Sequence, residues 1–247
     1  MAELLTRFLA LAFLTACSSP PSPPAELVFR GGAVYTLNAE APWADGLAIA
    51  DGRILAIGNI EAFIGEDTRV VDLDGRLLLP GFHDDRVDLA AGTAWLEEKG
   101  ITPADAPTYL HRFGITSVRA LDGTLPEALP LRTNDSRGDS RSGVRFASGW
   151  PATTIDPLVR IHRAVTGLDL DGRRVSREKM KVEDAVPRYA AAPLERGELA
   201  DLAILSENIL KIPPERIAEC KVEMTVFGGR IVYQAASFDQ GNPSTLK

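Results

Sequence analysis

Four side chains able to ligate a metal or move a proton fall within six positions: His83, Asp84, Asp85 and Asp88. They follow the stretch Leu77-Leu78-Leu79-Pro80-Gly81-Phe82. An apolar run that ends in Pro-Gly and turns polar at once is the pattern of a buried strand. Such a strand delivers side chains to the open end of a sheet or barrel. Strand alternation places His83, Asp85 and Val87 on one face and Asp84, Arg86 and Asp88 on the other. That division works against a metal centre, since a zinc site takes three protein ligands plus water. Arg86 cannot lose its proton to coordinate, so an Asp–Arg–Asp face reads better as a salt-bridge cluster. His111 and His162 complete the histidines, and a metal site needs three of these six side chains to converge on one point. His162, beside the apolar face of its segment, reads as a partly buried or surface histidine.

The elements around these residues belong to a globular chain: of its 247 residues 45% are hydrophobic and 25% charged. The length suits one large domain or two small ones. A net charge of -7 argues against a nucleic-acid partner, which would need a clustered basic face. Cys17 and Cys220 form no metal-type pair, and three histidines are few for a metalloenzyme. No cofactor is expected from this composition.

Residues 1–17 read as an export signal, with Arg7 as the positive charge and Phe8 to Ala16 as an apolar core too short to span a bilayer. Glu3 is unusual in such a charged region. The closing Leu14-Thr15-Ala16-Cys17 resembles a bacterial lipobox, which implies lipid on Cys17 and a membrane anchor through it. Ser18 and Ser19 follow without an aspartate. By resemblance to Gram-negative lipoproteins, that implies the outer membrane, facing the periplasm. Residues 18–25, rich in Pro and Ser, read as a stiff tether. Cys220 is then left unpaired near Ile217 and Val222, and reads as a buried, inert thiol.

Residues 26–80 read as three β-hairpins in a small antiparallel sheet, turning at Gly31-Gly32, Asp51-Gly52 and Asp74-Gly75. Thr102-Pro103 opens a helix running to about Phe113, and residues 114–120 read as a strand. Residues 132–143 contain no apolar side chain and read as a mobile loop, in which Arg137-Gly138-Asp139 is a chance triplet. Asp156-Pro157 caps a helix with Leu158, Ile161 and Val165 on one face, ended by Gly167. A second helix over 178–192 should break or kink at Pro187. Residues 197–233 return to β-structure, with a clear hairpin at Gly228-Gly229. Residues 234–247 read as a frayed tail.

Several of these stretches resemble the amidohydrolase superfamily, in the branch similar to N-substituted formamide deformylases (amidohydrolase family 3). Pro80-Gly81-Phe82-x-Asp84 resembles the first barrel strand. Ser148-Gly149-Trp150-Pro151, with the residues from Val144, resembles the last. Gly197-Glu198-Leu199-Ala200-Asp201-Leu202 resembles the strand that returns to the small domain. The likeness covers residues 26–120 and 144–235. It implies a mixed α/β fold, with a composite β-sandwich from residues 26–80 and 197–235 and an incomplete (β/α)₈ barrel in residues 81–196, before a tail at 236–247. A full barrel takes ~200 residues or more, whereas residues 81–195 offer about 115.

The same resemblance implies a divalent metal such as zinc, bound by two histidines where this chain has Arg86 and Asp88. It also implies a metal-binding aspartate where this chain has Gly149. The expectation is therefore a degenerate, internally shortened amidohydrolase-like lipoprotein without the superfamily's hydrolysis of non-peptide carbon–nitrogen bonds. One alternative is an active hydrolase of a small amide, its site relocated among His83, Asp84, Asp85 and Asp88 or completed in a homo-oligomer. Another is a membrane-tethered binding module.

Overall fold

The computed structural model describes residues 24–102, 104–121, 131–133 and 147–240. The export signal with Cys17, most of the tether, the Arg137-Gly138-Asp139 triplet and residues 144–146 and 241–247 lie outside them.

Strand β1 (Leu27–Tyr35) pairs antiparallel with β2 (Trp43–Ala50), which pairs with β3 (Arg53–Ile57) in the hairpin expected at Asp51-Gly52. Both turn residues have positive φ, as a tight hairpin turn requires. The other two expected N-terminal hairpins are not formed. Gly31-Gly32 is a bulge inside the continuous strand β1, whose register against β2 shifts between Arg30 and Val34. Strands β4 (Arg69–Asp72) and β5 (Leu77–Pro80) do not pair with each other. They lie end to end and parallel along β1, β4 beside its first half and β5 beside its second. The intervening 73–76 turn protrudes toward the bulge. Cβ atoms at Gly31 and Gly32 would collide with the side chains of Asp72 and Leu73, so the glycine pair serves close approach and not chain reversal.

The C-terminal strands join the same sheet: β9 (Leu202–Leu205) pairs antiparallel with β5 and with β10 (Val222–Phe227), and β10 with β11 (Arg230–Gln234). The small domain is thus one mixed eight-stranded sheet of N- and C-terminal strands. It curls on itself. Ile54 N–H donates to Glu198 C=O and Ala200 N–H to Gly52 C=O, so the β3 end meets the chain entering β9.

Strands β5 and β9 divide two cores. Leu78, Leu202 and Ile204 face the interior of the curled sheet with Phe29, Leu47, Ile49, Met224 and Val226. Leu77, Leu79, Ala203 and Leu205 face the opposite way, onto Phe82, Leu110, Ile115, Ile161 and Val186. Burial on both faces explains why these strands are continuous apolar runs and do not alternate with polar residues.

Beyond Pro80-Gly81 the chain enters a second sheet of parallel strands, β6 (Phe82–Val87), β7 (Ile115–Ala120) and the short β8 (Arg132–Thr133). Strand β8 falls where the sequence read as loop begins. On the other side of β6, Trp150 makes a parallel bridge to Val87, so residues 148–150 run beside β6 as a last barrel strand runs beside a first. Among the described residues the ring is not closed. Helix α1 (Leu89–Glu98) was not anticipated. Helix α2 (Ala106–His111) begins later than Thr102-Pro103 suggested. Helix α3 (Pro157–Thr166) carries the expected Asp156 cap and left-handed Gly167 end. Helix α4 (Val182–Tyr189) runs through Pro187 and stops two residues later. Residues 236–240 are not frayed: α5 (Ala236–Gln240) inserts a fully buried Phe238 into the sheet's interior core.

Candidate active site at the end of β6

On β6, His83 and Asp85 share one side and Asp84 takes other partners, while the register against β7 shifts on both sides of the His83–Asp84 pair. On one face, the parallel register sets His83 opposite Ser117 of β7. Their side chains share a hydrogen bond of 2.8 Å between His83 Nδ1 and Ser117 Oγ. Asp85 Oδ1 lies 3.5 Å from His83 Nε2 and 3.3 Å from an Arg119 guanidinium nitrogen. A Ser–His–Asp series invites a nucleophilic reading, but the geometry is inverted. Ser117 and His83 are buried and the acid sits outermost, its charge offset by Arg119. A nucleophile has to meet substrate, so this series is a buried polar link between two strands.

On the opposite face, Asp84 is buried at 2% exposure with both carboxylate oxygens engaged. Oδ1 accepts N–H bonds from Ser148 at 2.8 Å and Arg86 at 3.1 Å. Oδ2 accepts from Arg160 of α3 at 3.3 Å. The Arg160 guanidinium lies 5.0 Å from the ring centre of Tyr189 on α4. Burial pushes the Tyr189 hydroxyl up to about 12, against the pull of Arg160 and with the charge of Asp84 adding to the rise. One carboxylate therefore ties β6, the 148–150 segment and two helices together. The salt bridge read into Asp84, Arg86 and Asp88 exists with a different cation: Arg86 is exposed, and Arg160 supplies the charge. Asp88 caps α1, its Oδ1 accepting from Ala91 N–H at 2.9 Å. An aspartate before Leu-Ala-Ala was the available signal for that helix start.

The other histidines lie elsewhere. His111 is buried. Its Nδ1–H donates to Ile115 C=O at 3.0 Å, and its Nε2 has no hydrogen-bond partner among the described residues. His162 is buried, more deeply than the sequence suggested, because α3 packs that side against the 3₁₀ turn Pro214–Glu219. Burial lowers both imidazoles below their ordinary range. Cys220 is a buried thiol that burial pushes up to about 11, away from nucleophilic use.

A divalent ion would have to compete with these contacts. Asp84 spends both oxygens on N–H donors and a guanidinium, and Asp88 gives its Oδ1 to the start of α1. Gly149 brings no donor, and its φ of 67° would strain any side chain placed there. Among the described residues no three of His, Cys, Asp and Glu gather so as to hold a metal. The described residues do not fit the ion.

A model of the amidohydrolase family matches residues 140–233. The structure is similar to that of enamidase, a member of the amidohydrolase superfamily, with a TM-score of 0.51 at 11% identity over 85% of this chain and 96% of that one. The family match supports the amidohydrolase superfamily, and the likeness to enamidase bears on the fold. The chain is also similar to curated proteins. LONG AFTER FAR-RED 3 of Arabidopsis thaliana is 33% identical over 91 residues, 36% of this chain and 16% of that protein. Adenine deaminase of Moorella thermoacetica is 30% identical over 105 residues, 40% of this chain and 17% of that protein. The chain therefore spans under a fifth of either relative. The family match takes in α3, α4 and β9 to β11 and stops short of the β6 cluster.

Proposed function

We propose that this chain is an amidohydrolase-like protein that keeps the scaffold of the superfamily but not its metal-dependent hydrolysis of carbon–nitrogen bonds. The observation that carries the reading is the engagement of Asp84 by Arg160, Ser148 N–H and Arg86 N–H. Metal-assisted hydrolysis needs a cation that lowers the pKa of water and polarises a carbonyl. A guanidinium already bound to the carboxylate is no Lewis acid to acidify water, and it takes up an oxygen that a metal would need. Metal analysis of the purified full chain, with a hydrolysis assay on simple amides and formamides, tests this. Sub-stoichiometric zinc and no turnover above buffer are expected. One zinc per chain, lost together with turnover in Asp84→Asn, would reverse the reading.

The likeness to an adenine deaminase and to enamidase favours a second reading, in which carbon–nitrogen hydrolysis is retained through a site relocated or completed in a homo-oligomer. The same assay decides between the two when repeated across protein concentration, since only a shared site gains activity on association.

The proposal includes a lipid anchor on Cys17, holding the chain on the outer membrane facing the periplasm, with no nucleic-acid partner. It rests on the sequence Leu14-Thr15-Ala16-Cys17. Incorporation of labelled palmitate that disappears in Cys17→Ala is the expected outcome. Secretion of an unlabelled chain would count against the anchor.

A further inference from the structure

The region from α3 to α4 is electrically unlike the rest of the protein. Residues 157–188 contain eight Arg or Lys and five Asp or Glu, a net +3 within a chain of net -7. A cleft of about 370 Å³ opens there between α3, the 147–154 segment and the 175–180 segment. Two guanidinium groups line it, Arg160 and Arg163. Arg160 is satisfied by Asp84 and by the Tyr189 ring. Arg163 is not. Its Nε is buried with no hydrogen-bond partner, and none of the ion pairs among the described residues includes it. Arg163 is only partly buried, so the rest of its guanidinium, with no carboxylate beside it, stays open to an anion entering the cleft.

The cleft offers more than charge. Thr154 Oγ accepts from Asp156 N–H and keeps its own proton to donate. Val175, 56% exposed, and Met180 supply an apolar wall. Among the described residues Glu178 is the one carboxylate lining the cleft. It is exposed on the rim, and its carbonyl is held by the Ser176 hydroxyl.

We infer that this cleft binds a small organic carboxylate, its oxygens on Arg163 and Thr154 and its apolar tail on Val175 and Met180. Guanidinium groups suit carboxylates because two N–H donors match two oxygens. The size is at the small end of ordinary ligand pockets. The inference does not depend on whether the chain hydrolyses anything.

Titration of the full chain with butanoate, acetate and inorganic phosphate at constant ionic strength tests it. Butanoate should bind more tightly than acetate, by up to about fourfold per buried methylene. Arg163→Gln should weaken butanoate by about tenfold or more. Arg173→Gln, which alters an exposed cation paired with Asp171, should leave binding unchanged. Because Arg163→Gln could disturb α3, a second readout uses the unaltered chain. Butanoate should protect Arg163 from phenylglyoxal, read by mass spectrometry. Absence of binding, equal binding in Arg163→Gln, no protection of Arg163, or phosphate binding as tightly as butanoate would each overturn the inference.

Discussion

Asp84 and Arg160 meet at 3.3 Å across 76 positions of sequence, with side-chain exposures of 3% and 11%. In a buried pair the favourable Coulomb term is largely spent on desolvation, so the pair adds little net stability. Removing one partner strands the other and is far more damaging. Arg160→Met should therefore cost about 3–5 kcal/mol. Adding Asp84→Asn should restore part of that loss, since a neutral amide oxygen still accepts the N–H groups of Ser148 and Arg86. Urea unfolding of the two single variants and the double variant measures this. Strictly additive losses would mean that the two groups do not interact.

Gly92 of α1 lies directly under Trp150, and a Cβ there would fall within the indole ring. Alanine is intrinsically better than glycine in a helix by about 1 kcal/mol. Overpacking a filled site costs typically 1–3 kcal/mol, and the Trp150 ring is also held edge-on by Trp95 at 5.9 Å. The clash should win. Gly92→Ala should lower the urea midpoint and shift the tryptophan emission, and a stabilised variant would place Trp150 elsewhere.

Phe238 is fully buried in the interior core of the curled sheet, next to Arg76, whose guanidinium lies 4.9 Å from its ring centre. Arg76 in turn pairs with Glu223 of β10. Phe238→Ala should cost about 3–5 kcal/mol, far more than a residue in a loose tail would. Chemical denaturation gives the value, and a loss near zero would return this segment to the status of a tail.

His111 and His162 set an acid limit. Burial pushes both imidazoles below their ordinary 6.5, so the folded chain resists protons that the unfolded chain accepts. Their contribution is neutral above 6.5. It becomes destabilising as pH falls from there through the lowered folded-state values, because the unfolded state then binds more protons. Urea midpoints at about pH 7.5 and about pH 5.5 should differ, with the acid value lower. His111→Asn, which keeps a donor for Ile115 C=O, should narrow the gap. A midpoint independent of pH across this interval would show that neither ring is buried.

Much of the fold was legible locally. The positive-φ turn at Asp51-Gly52, the Gly228-Gly229 hairpin and the Asp156-Pro157 cap with its Gly167 stop each state a backbone preference within a few residues. The misread turns show the limit of that logic. Gly31-Gly32 and Asp74-Gly75 both have the right residues for hairpins, and Asp74-Gly75 does turn the chain at positive φ. Strand partners, however, are chosen by which apolar faces can be buried, and β1 buries more by accepting β4 and β5 side by side. The start of α1 was missed because Asp88 was weighed as a ligand and not as a cap.

From the sequence alone came the placement of His83 and Asp85 on one face of a strand and Asp84 on the other. So did the two apolar runs that became β5 and β9. These follow from side-chain chemistry and the two-residue period of a strand, which need no distant partner. Only the tertiary structure decided that Ser117 takes His83, that Arg160 takes Asp84, and that the N- and C-terminal strands close into one curled sheet. Such pairings are fixed by register and by helix placement between segments far apart in the chain, and no local preference encodes them.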